Sequence, residues 1–272
     1  MSQVSDPDSG SEPVLAVRDA RGVLTLTLNR PAGFNVLGAA MLAALQSEVD
    51  AAARDEGLRV VVLAASGRAF CAGHDLKAMA AAGQTEADYL ALFRQCSRFM
   101  LSLQSLPVPV LARVQGMATA AGCQLVAQCD LAVASDEARF ATSGIRYGLF
   151  CATPSVPLVR NLPAKKAMEM LLTGEFLSAR EALDHGLLNR VVPAGELDAA
   201  VETLVQGILS KPRVAVAMGK ALFYRQREAG VEAAYQMAAQ TMAVNMMDPD
   251  AQEGARAFLE KRVPAWAATG VG

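Results

Sequence analysis

The amino-acid sequence predicts an α/β fold that becomes helical in its C-terminal part. In the first part of the chain, continuous apolar runs typical of buried strands alternate with segments of helical periodicity. From Pro163 onward the apolar residues recur mainly at helical spacing, and Ser178 and Glu181 form a capping-box pattern. The chain is therefore expected to have three parts, which are a disordered tail (1–13), an α/β core (14–192) and a C-terminal helical region (193–266).

The first predicted elements are two strands and a helix. Val14–Arg18 and Gly22–Asn29 alternate apolar and polar side chains, which predicts a β-hairpin. Gly38–Ala53 has apolar residues at helical spacing, whereas the apolar run Arg59–Ala65 is typical of a strand buried on both faces. Ser66–Asp75 is expected to be a loop, with a helix starting at its end.

The next elements follow the same alternation. Glu86–Leu106 is predicted to be a long helix that Pro107 stops, and Val108–Val114 is predicted to be a second buried strand. Leu131–Ala134 and Ala138–Phe140 are expected to be short strands. The remaining predicted helices are Pro163–Leu172, Ser178–Asp184, Glu196–Ser210, Pro212–Ala229, Val231–Met247 and Asp250–Lys261.

The composition excludes several classes of protein. The chain of 272 residues is 53% hydrophobic and 19% charged, which is typical of a globular protein with an ordinary core. Its net charge of −2 gives no basic surface for nucleic acid, and no apolar run is long enough to span a bilayer. The tail over residues 1–13 has neither arginine nor an apolar stretch, so neither a secretory signal nor a mitochondrial presequence is expected.

Cysteine and histidine usage limits the chemistry further. The five cysteines lack CxxC spacing, which favours reduced thiols and a cytoplasmic location. Only His74 and His185 are present, so a histidine-rich metal site is excluded and no metal is expected. His185 precedes Gly186 and is expected to lie at the C-terminus of a helix.

Two motifs carry the candidate chemistry. Gly67–Lys77 follows a predicted buried strand and leads into a helix for which Asp75 is a suitable N-cap. Ala118–Asp130 begins with small residues that open a short helix, so its first amides point away from any internal partner. Together these motifs can direct the backbone N–H groups of His74 and Ala121 at one point, which is the arrangement of an oxyanion hole. Taken singly, each motif is also compatible with an ordinary strand–loop–helix connection.

These motifs resemble those of the crotonase (enoyl-CoA hydratase/isomerase) superfamily. Asn29-Arg30-Pro31, Ala138-Arg139-Phe140 and Phe258–Arg262 extend the resemblance over nearly the whole chain. The resemblance implies a crotonase-like spiral of ββα units with a C-terminal helical trimerisation region, and a homotrimer or a dimer of trimers. It also implies an acyl-CoA substrate, whose coenzyme A is part of the substrate rather than a separate cofactor.

By the same resemblance, the thioester oxygen lies between the N–H groups of His74 and Ala121, in the core over residues 14–192. For Arg68 and Lys77, contact with the phosphates of coenzyme A and ordinary solvated surface charge both remain open. No nucleic acid or membrane partner is expected. The residues expected to contact the acyl-CoA are Arg68, Ala72, Gly73, Asp75, Leu76, Lys77, Ala120, Gly122, Tyr147, Cys151 and Lys261.

The sequence departs from the family pattern at two catalytic positions. Gln124 and Gly144 stand where the hydratases have glutamates. Glutamine can hold a water molecule but cannot accept a proton near neutral pH, and glycine can do neither. Since each general acid–base group contributes roughly 10²–10⁴-fold, hydratase activity is expected to be weak or altered. Alternatively, Gln124 is a buried polar residue satisfied by the backbone.

Three further functions therefore stay open. The imidazole of His74 could contact a substrate carboxylate in a malonyl-type acyl-CoA decarboxylase, a reaction that does not require the glutamates. A thioesterase using His74 or a water on Gln124 is the second, and a non-catalytic acyl-CoA-binding protein is the third. Tyr147 could donate a proton or be structural. Cys151 could be a nucleophile or a proton donor, but a small buried apolar side chain is favoured. The methionines of the predicted C-terminal helices are expected in the core or in a subunit interface, and they are Met237, Met242, Met246 and Met247.

Overall fold

The computed structural model describes residues 11–268, so most of the tail expected over residues 1–13 lies outside the described residues. Its described end is bound to the body of the protein. The guanidinium of Arg30 donates hydrogen bonds to the carbonyl oxygens of Ser11 (2.6 Å) and Glu12 (3.0 Å). The backbone N–H of Asn29 donates to the carbonyl oxygen of Pro13 over 2.8 Å.

The described residues form strands in the first part of the chain and mainly helices afterwards. The strands are β1 (Val14–Arg18), β2 (Val23–Leu28), β3 (Val60–Ala65), β4 (Ala69–Cys71), β5 (Val110–Val114), β6 (Met117–Thr119), β7 (Leu131–Ser135), β8 (Arg139–Ala141), β9 (Leu177–Ser178) and β10 (Arg190–Val192). The helices are α1 (Ala39–Ala52), α2 (Leu76–Met79), α3 (Glu86–Ser105), α4 (Ala121–Gln128), α5 (Ala152–Asn161), α6 (Ala164–Thr173), α7 (Ala179–Asp184), α8 (Leu197–Leu209), α9 (Arg213–Arg227), α10 (Val231–Met246), α11 (Pro249–Leu259) and α12 (Ala265–Ala268).

The strands form two sheets that the chain visits in turn. In the described residues, a six-stranded sheet has the order β1-β2-β3-β5-β7-β10, and a four-stranded sheet has the order β4-β6-β8-β9. Each pair β3/β4, β5/β6 and β7/β8 adds one strand to each sheet before a helix follows. Most neighbouring strands are parallel, and β1–β2 and β8–β9 are antiparallel. This repeated progression is a spiral of ββα units, as the resemblance implied.

The core lies between the sheets and the helices that follow them. Its largest fully buried side chains include Phe70, Phe99 and Phe140. On α1 the residues predicted to be apolar at helical spacing are buried, and they are Met41, Leu42, Leu45 and Val49. A smaller apolar cluster packs α8 against the other face of the six-stranded sheet through Leu197, Val201 and Val205. The positions of the strand ends are therefore fixed from both faces of this sheet.

Most predicted helices and strands are confirmed to within a few residues. The short strands β4, β6, β9 and β10 and the helices α5 and α12 were not predicted. The loop predicted over Ser66–Asp75 contains β4, and the helix after Asp75 is only the short α2. No local sequence pattern indicates α5, which contains Pro157 in its interior. Among residues 11–268, none of the helices is both long enough and apolar enough to cross a membrane.

Candidate active site

The two loops that carry the motifs touch each other next to Gly73. This residue has a φ of +97°, and a Cβ built on it would lie 2.9 Å from the Cβ of Ala120 and 3.2 Å from the nitrogen of Ala121. Two further contacts fix the loop between β4 and α2. The carbonyl oxygen of Gly73 accepts the N–H of Leu37 over 2.7 Å, and the hydroxyl of Thr119 donates to the carbonyl oxygen of Ala72 over 3.0 Å. The close approach of the two loops therefore requires glycine at this position.

Ala120 has an unusual backbone conformation at the start of α4. Its φ of 49° and ψ of −119° are rarely adopted by a residue with a side chain. Its N–H donates to the carbonyl oxygen of Ala141 on β8 over 2.9 Å, and its carbonyl oxygen accepts the N–H of Gln124 over 3.0 Å. These bonds hold Ala120 in place and leave Ala121 as the first residue of α4, where an N–H has no internal acceptor.

The backbone N–H groups of His74 and Ala121 were predicted to act as a pair of donors. Within residues 11–268, neither the N–H of His74 nor that of Ala121 donates a hydrogen bond to protein. Both residues line the same cavity, whose volume is about 190 Å³. Two residues whose backbone N–H groups are unused, one from each motif, therefore line the same cavity.

The cavity wall is mostly apolar. Among the described lining residues there is no lysine, arginine, aspartate or glutamate. The predicted site residues in the wall are Ala72, His74, Leu76, Ala120, Ala121, Gly144, Tyr147 and Cys151. The wall also contains residues that the motifs did not predict, and they are Met79, Phe93, Ser143, Leu149, Phe150, Ala152, Thr153 and Pro154. These come from α2, α3 and the segment around α5, whose positions depend on the tertiary fold.

The side chain of His74 is held in one orientation and one protonation state. Its Nδ1 lies 3.1 Å from the carbonyl oxygen of Leu37, which can only accept, so Nδ1 carries the proton. Its ring packs edge-on against Phe93 with a centroid distance of 5.4 Å. Burial lowers the pKa of His74, although the bond to Leu37 acts in the opposite direction. The imidazole is therefore neutral at pH 7, and its buried Nε2 has no hydrogen-bond partner among the described residues.

Gln124 is buried but does not lie in the cavity wall. Its side chain is 3% exposed, and its Oε1 has no hydrogen-bond partner in residues 11–268. The alternative interpretation of a glutamine satisfied by the backbone is therefore wrong for this oxygen. Gly122, which follows Ala121, is also behind the wall, because a Cβ there would lie 2.1 Å from the carbonyl oxygen of Cys71. Its small size allows α4 to pack against β4.

The space beside Gly144 is filled by the chain itself. A Cβ on Gly144 would lie 2.7 Å from the carbonyl oxygen of Leu149 and 2.8 Å from the sulfur of Cys151. Cys151 is 6% exposed, as expected of a small buried side chain, yet it also lines the cavity. The N–H groups of Gly144 and Ile145 face its sulfur, but burial has the larger effect and raises the pKa of the thiol. Cys151 is therefore a protonated thiol at neutral pH.

The charged residues expected to contact coenzyme A lie outside the cavity wall. Arg68 is exposed and its guanidinium lies 4.8 Å from the centre of the Phe34 ring. Lys77 is exposed on α2, where its N–H is bound by the capping side chain of Asp75 over 2.9 Å. Lys261 lies just after α11, and nothing in the described part of the chain brings it to the cavity. Tyr147, in contrast, lines the cavity mouth and is 73% exposed.

Five of the curated relatives share one name. "Enoyl-CoA hydratase domain-containing protein 3, mitochondrial" from Mus musculus is 46% identical over 259 residues, which covers 95% of this chain and 86% of that protein. The proteins of the same name from rat, Xenopus laevis, human and zebrafish are 42% to 46% identical.

These names overturn the expected location. The cytoplasmic location predicted from the tail and the cysteines is wrong, because these relatives are all named mitochondrial. The composition of the first residues and the number of thiols therefore do not determine the compartment. Reduced cysteines are compatible with more than one compartment, so the cysteine count could not distinguish between cytoplasm and mitochondria.

Solved structures and a family model agree with the fold. An enoyl-CoA hydratase from Mycobacterium smegmatis is 60% identical with a TM-score of 0.93, and the match covers 94% of this chain and 99% of that one. Human enoyl-CoA hydratase domain-containing protein 3 is 46% identical with a TM-score of 0.90, covering 93% and 100%. The model of the enoyl-CoA hydratase/isomerase family matches residues 18–269. With its ββα spiral and paired backbone donors, the chain belongs to the enoyl-CoA hydratase/isomerase family.

Proposed function

We propose that this protein binds an acyl-CoA thioester and stabilises negative charge on the thioester oxygen. The observation that carries this proposal is the pair of unused N–H groups of His74 and Ala121 in the wall of one apolar cavity. Enolates and tetrahedral intermediates of thioesters concentrate charge on that oxygen, whereas the neutral substrate has little. Two fixed donors in an apolar site therefore favour the charged species over the substrate.

The acid–base group that we propose is the imidazole of His74. Its Nε2 lone pair is free, because Nδ1 already donates its proton to Leu37. It can accept a proton from the α-carbon of the acyl group, which leaves the electron pair as an enolate on the oxygen held by the two N–H groups. When the substrate is a 3-enoyl-CoA, the enolate is conjugated with the carbon–carbon double bond. Returning the proton to the γ-carbon then moves the double bond to the α,β position, which is an isomerisation that uses no other reactant. This role needs neither of the glutamates that the chain lacks.

Hydration by two carboxylates is not supported at this site. Gln124 cannot accept a proton near neutral pH, and the space next to Gly144 is occupied by Leu149 and Cys151. We therefore expect hydratase activity to be weak compared with proton exchange at the α-carbon. The proposal requires no cofactor, because coenzyme A is part of the substrate.

The test is hydrogen–deuterium exchange at the α-carbon of butyryl-CoA in D₂O, followed by mass spectrometry, alongside crotonyl-CoA hydration. The variant is Ala121→Pro, because proline at the first position of a helix removes one N–H while the helix is kept. Removing one oxyanion donor costs about 10²–10³-fold in rate, which is the expected loss of exchange. Ala164→Pro at the first position of α6 is the matched control and should exchange normally.

Circular dichroism and butyryl-CoA binding are measured on the same samples, so that a misfolded variant is recognised. A folded Ala121→Pro protein that exchanges as fast as the unmodified one contradicts the proposed oxyanion hole. Absence of exchange in the unmodified protein, with normal acyl-CoA binding, instead favours a non-catalytic acyl-CoA-binding protein.

We also propose that the chain assembles as a homotrimer or as a dimer of trimers, through its C-terminal helices. In the described chain, α10 contains no buried residue. Large apolar side chains on α10 and after it are instead exposed, with Val231 and Tyr235 at 75% and Met247 at 74%. Burying this surface against other copies accounts for it better than exposure to solvent does.

A further inference from the structure

We infer that the cavity accepts acyl groups that are uncharged and rejects acyl groups that carry a second carboxylate. This inference rests on the proposed function, because it names the class of thioester that the same site takes. It also separates the two kinds of acyl-CoA that the sequence alone left open, namely the enoyl type and the malonyl type.

The wall of the cavity is chemically unsuited to a second charge. Its large apolar side chains are Leu76 and Met79 of α2, Phe93 of α3, and Leu149 and Phe150 before α5. No cationic side chain belongs to the described lining, so a carboxylate placed there loses its water and gains no opposite charge. An unpaired buried carboxylate is strongly disfavoured, whereas a methyl or methylene group gains from the same surroundings.

The polar groups that remain in the wall do not compensate for a carboxylate. His74 provides no positive charge, since burial lowers the pKa of its imidazole. Its free Nε2 is an acceptor and repels the oxygen atoms of a carboxylate. The thiol of Cys151 and the hydroxyls of Ser143 and Thr153 are neutral donors, which do not balance a full charge. The two backbone donors are used by the thioester oxygen.

The charged residues that are adjacent in sequence to the lining residues, Lys77 among them, do not belong to the cavity wall. Asp75 follows His74 directly, and its carboxylate accepts the N–H groups of Lys77 and Ala78. Arg146 lies two residues after Gly144, and it pairs with Glu175 over 2.6 Å. A second carboxylate on the acyl group therefore finds no cation in the described lining.

The experiment measures binding of saturated thioesters by calorimetry, which makes the result independent of any turnover. Two pairs of matched chain length are compared, butyryl-CoA with succinyl-CoA and hexanoyl-CoA with adipyl-CoA, and free coenzyme A gives the baseline. We expect each uncharged ligand to bind at least about tenfold more tightly than its carboxylate partner. Equal affinities within a pair, or tighter binding of succinyl-CoA or adipyl-CoA, overturn the inference.

A charge variant makes the test sharper. Met79→Lys places an ammonium group in the wall and should reduce or reverse the preference within at least one pair. Met168→Lys is the matched control, because Met168 is an exposed residue of α6 outside the wall, and it should leave both affinity ratios unchanged. An unchanged preference in a folded Met79→Lys protein also overturns the inference, because the missing cation is then not its cause.

The outcomes also separate this inference from the proposed function. If none of the four acyl-CoAs binds more tightly than free coenzyme A, the acyl-binding role itself fails. If all four bind equally well and more tightly than coenzyme A, only the inferred selectivity fails.

Discussion

His74 contributes two different groups to one site, its backbone N–H and its imidazole. The backbone donor depends on the loop between β4 and α2, whereas the imidazole depends on Leu37 and Phe93. A substitution of the side chain can therefore remove the base and keep the donor. This separation makes His74 suitable for a test that distinguishes acid–base chemistry from charge stabilisation.

The pH dependence of α-proton exchange follows from the lowered pKa of His74. Protonation of Nε2 removes the lone pair, so the rate should fall as the pH decreases through a value below the ordinary 6.5 and stay level above it. His74→Gln keeps the backbone N–H but has no titrating base, and it should lose at least about 10²-fold in kcat together with this pH dependence. The measurement is the exchange rate at saturating butyryl-CoA between pH 4.5 and 8, roughly two units below and above the ordinary pKa of histidine.

Butyryl-CoA binding to His74→Gln serves as the control, since a largely unchanged affinity assigns the loss to the chemical step. A His74→Gln protein with the original rate and pH profile would show that another group moves the proton. Cys151 and Tyr147 are the other ionisable side chains in the described wall, and Cys151→Ala and Tyr147→Phe would then identify it.

The packing around Gly144 explains why a carboxylate cannot simply be restored there. Gly144→Ala should lower the free energy of unfolding by about 1–3 kcal/mol, because its Cβ meets the carbonyl oxygen of Leu149 and the sulfur of Cys151 at less than 3 Å. Gly207→Ala, on the exposed side of α8 with nothing within 4 Å, should be neutral or stabilising by roughly 0.5–1 kcal/mol. Urea unfolding of the two variants checks this prediction.

If the two glycine variants prove equally stable, the segment from Leu149 to Cys151 moves away at little cost. With that segment packed against Gly144, Gly144→Glu has to displace it before it can place a carboxylate in the cavity. Failure of that variant to hydrate crotonyl-CoA is therefore expected even where the oxyanion hole works.

At the scale of secondary structure, one buried ion pair attaches α9 to the core. The ammonium of Lys220 lies 2.7 Å from Asp130 and donates to the carbonyl oxygens of Leu103 and Val108. The hydroxyl of Tyr224, one turn further along α9, donates to the other oxygen of Asp130 over 2.7 Å. The Lys220 side chain is 6% exposed, so this contact joins α9 to the ends of α3 and α4 away from solvent.

Lys220→Met should therefore destabilise the protein by roughly 3–5 kcal/mol, because it leaves the buried carboxylate of Asp130 without its cation. Lys165→Met, at an exposed position of α6, is the matched control and should change the stability by less than about 0.5 kcal/mol. Thermal and urea unfolding give both values. A stable Lys220→Met protein would mean that Asp130 is satisfied by Tyr224 and the backbone N–H of Val110 alone.

The elements predicted from the sequence are those with a strong local pattern. The apolar spacing of α1 and the capping box of Ser178 and Glu181 were sufficient, and both are present. In contrast, β4 has three residues and exists because β6 lies beside it. α5 contains Pro157, which opposes a helix locally, and Asn161 at its end donates to the carbonyl oxygens of Ala127 and Pro157. Tertiary contacts decide such segments, and a single sequence does not reveal them.

The same distinction applies to the site. The two backbone donors could be predicted, because they belong to continuous motifs with small residues and a helix start. The positions of Met79 and Phe93 in the cavity wall could not be predicted. The sequence pattern of a helix does not show whether an apolar residue faces a cavity or the core. The lack of space beside Gly144 could not be predicted either, because it depends on the tertiary contacts of Gly144 with Leu149 and Cys151.

For the whole molecule, the property to test is the number of chains in the assembly. The methionines of α10 are not buried in the chain, so the interpretation as core residues is wrong and the interface remains the proposal. We expect analytical ultracentrifugation to give a mass of three or six chains. Met242→Glu, at a 70% exposed position of α10, should shift the protein toward monomers, whereas Met168→Glu on α6 should not. A monomeric unmodified protein contradicts this proposal.

The conformation of Ala120 links the site to the order of folding. A positive φ at an alanine is unfavourable in an isolated β6–α4 segment, so it must be imposed by partners that are distant in sequence. One partner is Ala141 on β8, and the neighbouring hydrogen bond from Thr119 to Ala72 joins residues 47 positions apart. Contacts of long sequence separation form slowly. The first amide of α4 therefore takes its final direction only after β6 has paired with β4 and β8. During refolding, acyl-CoA binding should therefore return later than helix content, and a nascent chain would gain activity only after β8 has been synthesised.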